Sequence, residues 1–97
     1  MTKYFEGIGR RKTATSRVRI YSGQKASTVN GKSIDSYFQG IVEADKMVNY
    51  GFVVTDLLDK YYFTAKVNGG GVNAQIDAIR LGLGRALLAM NESLKPV

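Results

Sequence analysis

Alternating apolar and polar residues predict a strand over residues 16–22, the clearest such pattern in the chain. Val18 and Ile20 occupy one face of that strand. The opposite face is then predicted to hold Arg17, Arg19 and Tyr21. Residues 4–12 are predicted to form a partner strand, joined to the first by a polar connection at residues 13–15. The two segments together predict a hairpin at the start of the chain.

Two further strands follow from the same kind of pattern. Residues 26–30 predict a short strand that closes at Asn30-Gly31, a strong turn dipeptide. Residues 61–68 alternate again, and one face of that strand is predicted to carry Tyr61, Phe63, Ala65 and Val67.

Helical spacing predicts one long helix that begins after a glycine triplet and continues to about Asn91. Its single apolar stripe consists of Ile76, Ile79, Leu83, Leu87 and Met90. Leu81 and Leu88 lie off this stripe, so we expect the helix to bury more than one side. Gly82 and Gly84 each cost roughly 1 kcal/mol relative to alanine, which indicates tight backbone packing against a sheet or another chain.

Shorter helices are predicted between these strands. Ser33 is placed to cap a helix that ends at Gly40 and carries Ile34, Tyr37 and Phe38. Residues 42–49 show a weak helical pattern, and a further helix is predicted at about 53–60. Strands, hairpins and helices in this order predict one α+β domain over residues 1–97, with a mixed sheet and helices packed on one face.

Composition removes several classes of function. The 97 residues include no cysteine and no histidine, so disulfides, thiolate metal sites and the commonest general base are all absent. The carboxylates are scattered, and none has the companions that a catalytic or metal site requires. The sequence therefore predicts neither an enzyme nor a cofactor or small-molecule substrate. Without a signal-peptide pattern or a membrane-length apolar run, we expect no membrane and a cytoplasmic location.

The positive charge is concentrated in the first quarter of the chain. Residues 1–25 hold seven cations and one acid, whereas residues 26–97 hold seven of each, so the net charge of +6 lies in the first segment. Such a concentration is typical of a protein with a polyanionic partner. Phosphate backbones are the commonest such partner, and an acidic membrane surface is the alternative that charge alone leaves open.

Three groups of residues are candidates for contact with that partner. Arg10, Arg11 and Lys12 are adjacent cations near the hairpin tip, and a phosphate would relieve their mutual repulsion. The alternative for them is a solvated tip. The hairpin also offers aromatic rings that either stack on bases or belong to the core: Tyr4, Phe5 and Tyr21.

The second group is the triplet Gly69-Gly70-Gly71 at a strand-to-helix junction. Glycines permit close backbone approach, and a helix start offers free N–H groups to an anion. A nucleotide cradle, as in a small-molecule kinase, lacks its usual lysine and hydroxyl companions. A tight turn that needs positive φ is the other alternative. The interpretation that we favour is approach to an RNA phosphate without catalysis.

The third group lies on the long helix and consists of Gln75, Arg80 and Arg85. Arg80 follows Asp77 by three residues, so an ordinary ion pair competes with RNA contact there. Arg85 has no acid three or four residues away and is the better candidate for an external anion.

Two stretches resemble the small-subunit ribosomal protein nine family of bacterial or organellar type. One runs from Gly7 to Ala14 and continues in Arg17-Val18. The other comprises the glycine triplet followed by Gln75, Ala78-Ile79-Arg80, Gly82-Leu83 and Arg85-Ala86-Leu87. Val29-Asn30-Gly31-Lys32 and Tyr37-Phe38 also match, so the resemblance covers essentially the whole chain.

The resemblance implies the fold of the second domain of ribosomal protein five, with a left-handed βαβ crossover. It also implies a structural role on ribosomal RNA in the small-subunit head, beside neighbouring ribosomal proteins. A free-standing RNA-binding module outside the ribosome is the alternative. From charge and resemblance together, the predicted RNA-binding residues are Lys3, Arg10, Arg11, Lys12, Arg17, Arg19, Lys32, Gly69, Gly70, Gly71, Arg80 and Arg85.

The sequence departs from that family in two places. Ala74 stands where the family signature usually has glycine. Family members also continue into a long basic tail that reaches toward transfer RNA, whereas this sequence stops at Lys95-Pro96-Val97. The contact with transfer RNA is therefore not carried over to this chain.

Overall fold

The computed structural model describes residues 4–55, 57 and 60–94, the last three of them by backbone alone. The five strands are β1 (Phe5–Arg11), β2 (Ala14–Ser22), β3 (Thr28–Val29), β4 (Lys32–Ser33) and β5 (Tyr61–Asn68). The helices are α1 (Ile34–Tyr37), α2 (Ala44–Val48), α3 (Tyr50–Thr55) and α4 (Val72–Leu94).

The strands form one mixed sheet in the order β1-β2-β5-β3-β4. β1, β2 and β5 are antiparallel neighbours, and β3 runs parallel to β5. The helices pack on a single face of this sheet, with α4 lying across β1 and β2. The predicted α+β architecture is therefore confirmed.

Both predicted faces of β2 are confirmed. Val18 and Ile20 are fully buried beneath the helices, whereas Arg17 is exposed on the other side of the sheet. The stripe of α4 is buried along its whole length, as predicted. It packs with Phe52 from α3 and Phe63 from β5, so one core joins the long helix, the short helices and the sheet.

The close approach of α4 to β1 depends on glycine. A Cβ on Gly9 would overlap the backbone carbonyl of Ala78, and a Cβ on Gly82 would lie 2.8 Å from the hydroxyl of Ser16. That hydroxyl is buried and donates a hydrogen bond of 2.6 Å to the same Ala78 carbonyl. The tight packing predicted from Gly82 is thus confirmed. For Gly84 it is wrong, because a Cβ there would meet no atom within 4 Å.

Several local predictions hold in detail. The Ser33 hydroxyl accepts a hydrogen bond of 3.2 Å from the Ser36 amide and caps α1. Asn30 and Gly31 both adopt positive φ in the two-residue turn between β3 and β4, as such hairpin turns require. The strand predicted at 61–68 is β5.

Three predictions need correction. The first hairpin turns at Lys12 and Thr13 rather than at 13–15, because Arg11 already pairs with Ala14. The helix predicted at about 53–60 is α3, Tyr50–Thr55, and residues 56, 58 and 59 of that prediction lie outside the described residues. Leu81 and Leu88 are not buried, since they line an open groove between α3 and α4.

Candidate nucleic-acid interface

The tip of the β1–β2 hairpin projects three consecutive cations in different directions. Arg10 and Arg11 occupy successive positions of a strand, so their side chains leave opposite faces of the sheet. Lys12 follows in the turn with φ +55°, a conformation in which a residue with a side chain is strained. All three are exposed.

Acids lie beside some of the predicted cations. The Glu6 carboxylate accepts a hydrogen bond of 2.9 Å from Arg19 Nε and lies 3.7 Å from Arg17 Nε. Asp77 lies 3.7 Å from Arg11 Nε, so this acid contacts the hairpin rather than Arg80 in its own helix. Glu6 and Asp77 provide only two negative charges, and the hairpin therefore keeps a net positive charge.

Two tip cations have no acidic partner among the described residues, namely Arg10 and Lys12. Arg19 differs from them: its hydrogen bond to Glu6, with a smaller contribution from Tyr21, raises the pKa of its guanidinium. Its guanidinium carbon also lies 4.5 Å from the centre of the Tyr4 ring. Arg19 is thus held by protein groups, whereas Arg10 and Lys12 are free to meet an external anion.

The first two glycines of the triplet pack against the tip of the β1–β2 hairpin. Gly69 and Gly70 have φ values of +78° and +65°, and a Cβ on Gly69 would overlap the carbonyl of Thr13. These two glycines therefore serve the tight turn and the packing against the hairpin tip. Thr13 thus blocks the Cβ side of Gly69. Gly71 faces open space.

Gln75 connects this loop to the rest of the fold, a role that sequence reasoning missed. Its Nε2 donates a hydrogen bond of 3.0 Å to the Gly69 carbonyl, and its Oε1 accepts one of 2.9 Å from the Tyr37 hydroxyl. One side chain on α4 therefore links the glycine loop to α1. No sequence pattern identifies such a link, since its partners lie 6 and 38 residues away.

The remaining predicted residues are dispersed around this tip. Arg80 lies 5.0 Å from the centre of the Tyr50 ring, and Arg85 donates a hydrogen bond of 2.7 Å to the Ile8 carbonyl at the edge of β1. Both are exposed. Lys32 is exposed on β4, the opposite edge strand of the sheet from β1. Lys3 lies outside the described residues.

Other kinds of site find no support in the described part of the chain. It contains no cluster of three or more potential metal-ligating side chains. None of its helices combines the length and the apolar character needed to cross a membrane.

Comparison with known proteins supplies the family. A model of the family described as ribosomal protein S9/S16 matches residues 9–97. The chain belongs to this family. A relative from Desulfovibrio desulfuricans named "Small ribosomal subunit protein uS9" is 44% identical over 98 residues, which cover 100% of this chain and 75% of that protein.

Relatives of the same name occur in other bacteria. The protein from Lawsonia intracellularis is 39% identical over 97% of this chain and 72% of its own length. The protein from Thermotoga neapolitana is 42% identical over 96% of this chain and 71% of its own length. The family resemblance is therefore confirmed, and the chain is a structural protein of the small ribosomal subunit, not an enzyme.

Proposed function

We propose that this chain binds ribosomal RNA in the head of the small subunit through the tip of its β1–β2 hairpin. Arg10 and Lys12 would neutralise phosphates directly. Arg11, Arg17, Arg80 and Arg85 would add weaker contacts around them. The function is to fix the position of RNA and protein relative to each other, without bond chemistry, beside neighbouring proteins of the head.

The observation that carries this proposal is the state of Lys12. A lysine at positive φ costs about 1–2 kcal/mol relative to glycine's freedom there, and hairpin turns ordinarily use glycine or asparagine at such positions. Asn30-Gly31 shows that the same chain uses the favourable residues in its other two-residue turn. Strain retained at one turn and avoided at the other supports a binding role for the Lys12 side chain.

A rigid support for the tip agrees with this role. Gly69 and Gly70 lie against Thr13 and Ala14, and Gln75 holds the glycine loop to α4. The cations are thus presented on a backbone held by these contacts, so little backbone conformational entropy would be lost when RNA binds. In this proposal Gly69 and Gly70 act through the hairpin, and Gly71 is the glycine that could approach a phosphate.

Salt dependence of RNA binding tests the proposal. About six phosphate contacts predict that log K falls with log salt concentration with a slope of about −4 to −5. The double variant Arg10→Gln/Lys12→Gln should reduce the magnitude of that slope by about 1.4–1.8 and weaken binding to a transcript of the small-subunit head RNA. Its melting temperature should not fall, because neither side chain has a protein partner among the described residues.

A matched control removes two exposed lysines that lie away from the tip and likewise have no acidic partner among the described residues, Lys25→Gln/Lys60→Gln. Both double variants change the net charge by the same amount. Equal losses of affinity in the two would show that only overall charge matters, and the hairpin assignment would then fail.

A further inference from the structure

The face of the sheet opposite the helices, which we call the open face, carries two rows of side chains. One row, which we call the tyrosine row, contains Tyr4 directly before β1, Tyr21 of β2 and Tyr62 of β5. Four residues along β2, about 14 Å away, Arg17 lies beside Lys66 of β5. Arg10 lies on the same face of β1, opposite Thr15 of β2. We call Arg10, Arg17 and Lys66 the cation group. Aromatic rings and cations thus share one open surface.

The rings of the tyrosine row lie close together and remain accessible. Tyr21 and Tyr62 are stacked, with ring centres 5.5 Å apart and planes inclined by 20°, and Tyr4 lies 5.7 Å from Tyr21. Tyr4 is 44% exposed, and the other two are partly exposed. Cross-strand packing alone would account for the ring contacts. It does not account for three large rings on the solvent side, away from the core.

The charge of this open face favours an anionic ligand. It carries Arg10, Arg17, Arg19 and Lys66 against a single acid, Glu6, among the described strand residues, which leaves three net positive charges. Arg19 and Glu6 are bonded to each other at 2.9 Å. Arg19 also lies over the Tyr4 ring, so its charge is engaged by protein groups. The remaining cations border a cleft of about 520 Å³ with Asn68 and Thr15.

We propose that this open face binds unpaired nucleotides of single-stranded RNA, with bases stacked on the tyrosine row and phosphates over the cation group. The inference rests on the proposed function and extends it from phosphate contact to recognition of unpaired RNA. Aromatic side chains on a sheet stack on splayed bases, which a duplex does not offer, while nearby cations follow the backbone. An apolar protein partner would not require the cations beside the rings.

The test compares binding of short oligoadenylate RNA with binding of the same RNA annealed to oligouridylate. Tyr21→Leu and Tyr4→Leu each remove a ring and should weaken single-strand binding about five- to a hundredfold, with duplex binding unchanged. Tyr21→Phe should retain wild-type affinity, because the ring remains. Quenching of a central 2-aminopurine in the single strand, which reports stacking, should be lost in the leucine variants.

The matched control is Tyr50→Leu, a comparably exposed tyrosine on the helical side of the molecule. Its ring contacts Arg80 and not the open face, so it should show no loss specific to single strands. Melting curves identify any variant that unfolds, and Tyr4, which precedes the edge strand β1 and is the most exposed of the three rings, should disturb the fold least. The inference is overturned if both leucine variants bind single strands like wild type, or if they lose duplex binding equally.

The single hairpin variant Lys12→Gln, which leaves the cation group of the open face intact, separates the two proposals. Loss of duplex and single-strand binding in that variant, with normal binding in the tyrosine variants, would overturn only the open-face inference. Normal binding in the hairpin variant, with loss in the tyrosine variants, would overturn the proposed function while supporting an RNA-binding open face.

Discussion

The face of the sheet beneath α4 carries glycines and small side chains where β1 and β2 meet the helix, whereas the open face of the same strands carries arginines, tyrosines and one glutamate. Gly9 lies under α4, and its neighbour Arg10 points the other way. Ser16 is buried, and Arg17 beside it is exposed. Because successive residues of a strand alternate in direction, each strand serves packing and binding at once.

The two faces differ in how well they tolerate substitution. Under α4, the backbone of β1 lies directly against the backbone of the helix, so even one methyl group is too large at Gly9. On the open face, side chains end in solvent and their replacement leaves the backbone unchanged. Stability should therefore respond to changes on the covered face, and RNA affinity to changes on the open face and the hairpin tip.

The largest expected effect is that of Gly9→Ala. Its Cβ would overlap the Ala78 carbonyl and separate β1 from α4, which should lower the free energy of unfolding by about 3 kcal/mol. For a domain of this size the melting temperature would fall by about 12–24 °C, as measured by circular dichroism. The control is Gly84→Ala, which should stabilise the same helix by about 1 kcal/mol because open space surrounds that position. A tolerated Gly9→Ala would contradict the close packing.

A smaller effect separates two adjacent residues of β2. Ser16→Ala removes the buried hydrogen bond to Ala78 and should cost about 1–2 kcal/mol in denaturant unfolding, with the salt slope of RNA binding unchanged. Arg17→Gln should alter stability by less than about 0.5 kcal/mol. It should instead reduce the salt slope by about 0.7–0.9. If both variants lowered stability, or both reduced the salt slope, the two faces would not be separate in function.

An effect on stability that is smaller than that of Ser16→Ala, and opposite in sign, is expected at Lys12. Lys12→Gly relieves the positive-φ strain, partly offset by the entropy of glycine, and should stabilise the protein by about 0.5–1 kcal/mol. RNA binding should weaken at the same time, with a loss of about 0.7–0.9 in slope. Lys12→Arg retains the charge and should preserve both properties. Unaltered RNA affinity in Lys12→Gly would mean that the strain has no binding role.

Periodicity alone was enough to predict β2, β5 and α4, because these elements are long and each buries one consistent side. It misplaced α3, whose pattern is short and was assigned about three residues too late. It also misassigned Leu81 and Leu88, since an apolar residue off the main stripe does not specify whether anything covers it. Among the candidate residues, the concentration of cations was visible in sequence, but their partners were not.

The sequence by itself determined the long elements β2, β5 and α4 and the concentration of positive charge in the first quarter, because these depend on local spacing and composition. The family followed from the resemblance of its motifs. Only the tertiary structure decided which cations are engaged, which glycines contact backbone, and which side chains share the open face. Glu6 meets Arg19 across 13 residues, and Ser16 meets Ala78 across 62. Such contacts depend on strand register and helix position, which arise from the packing of the whole chain and leave no local pattern.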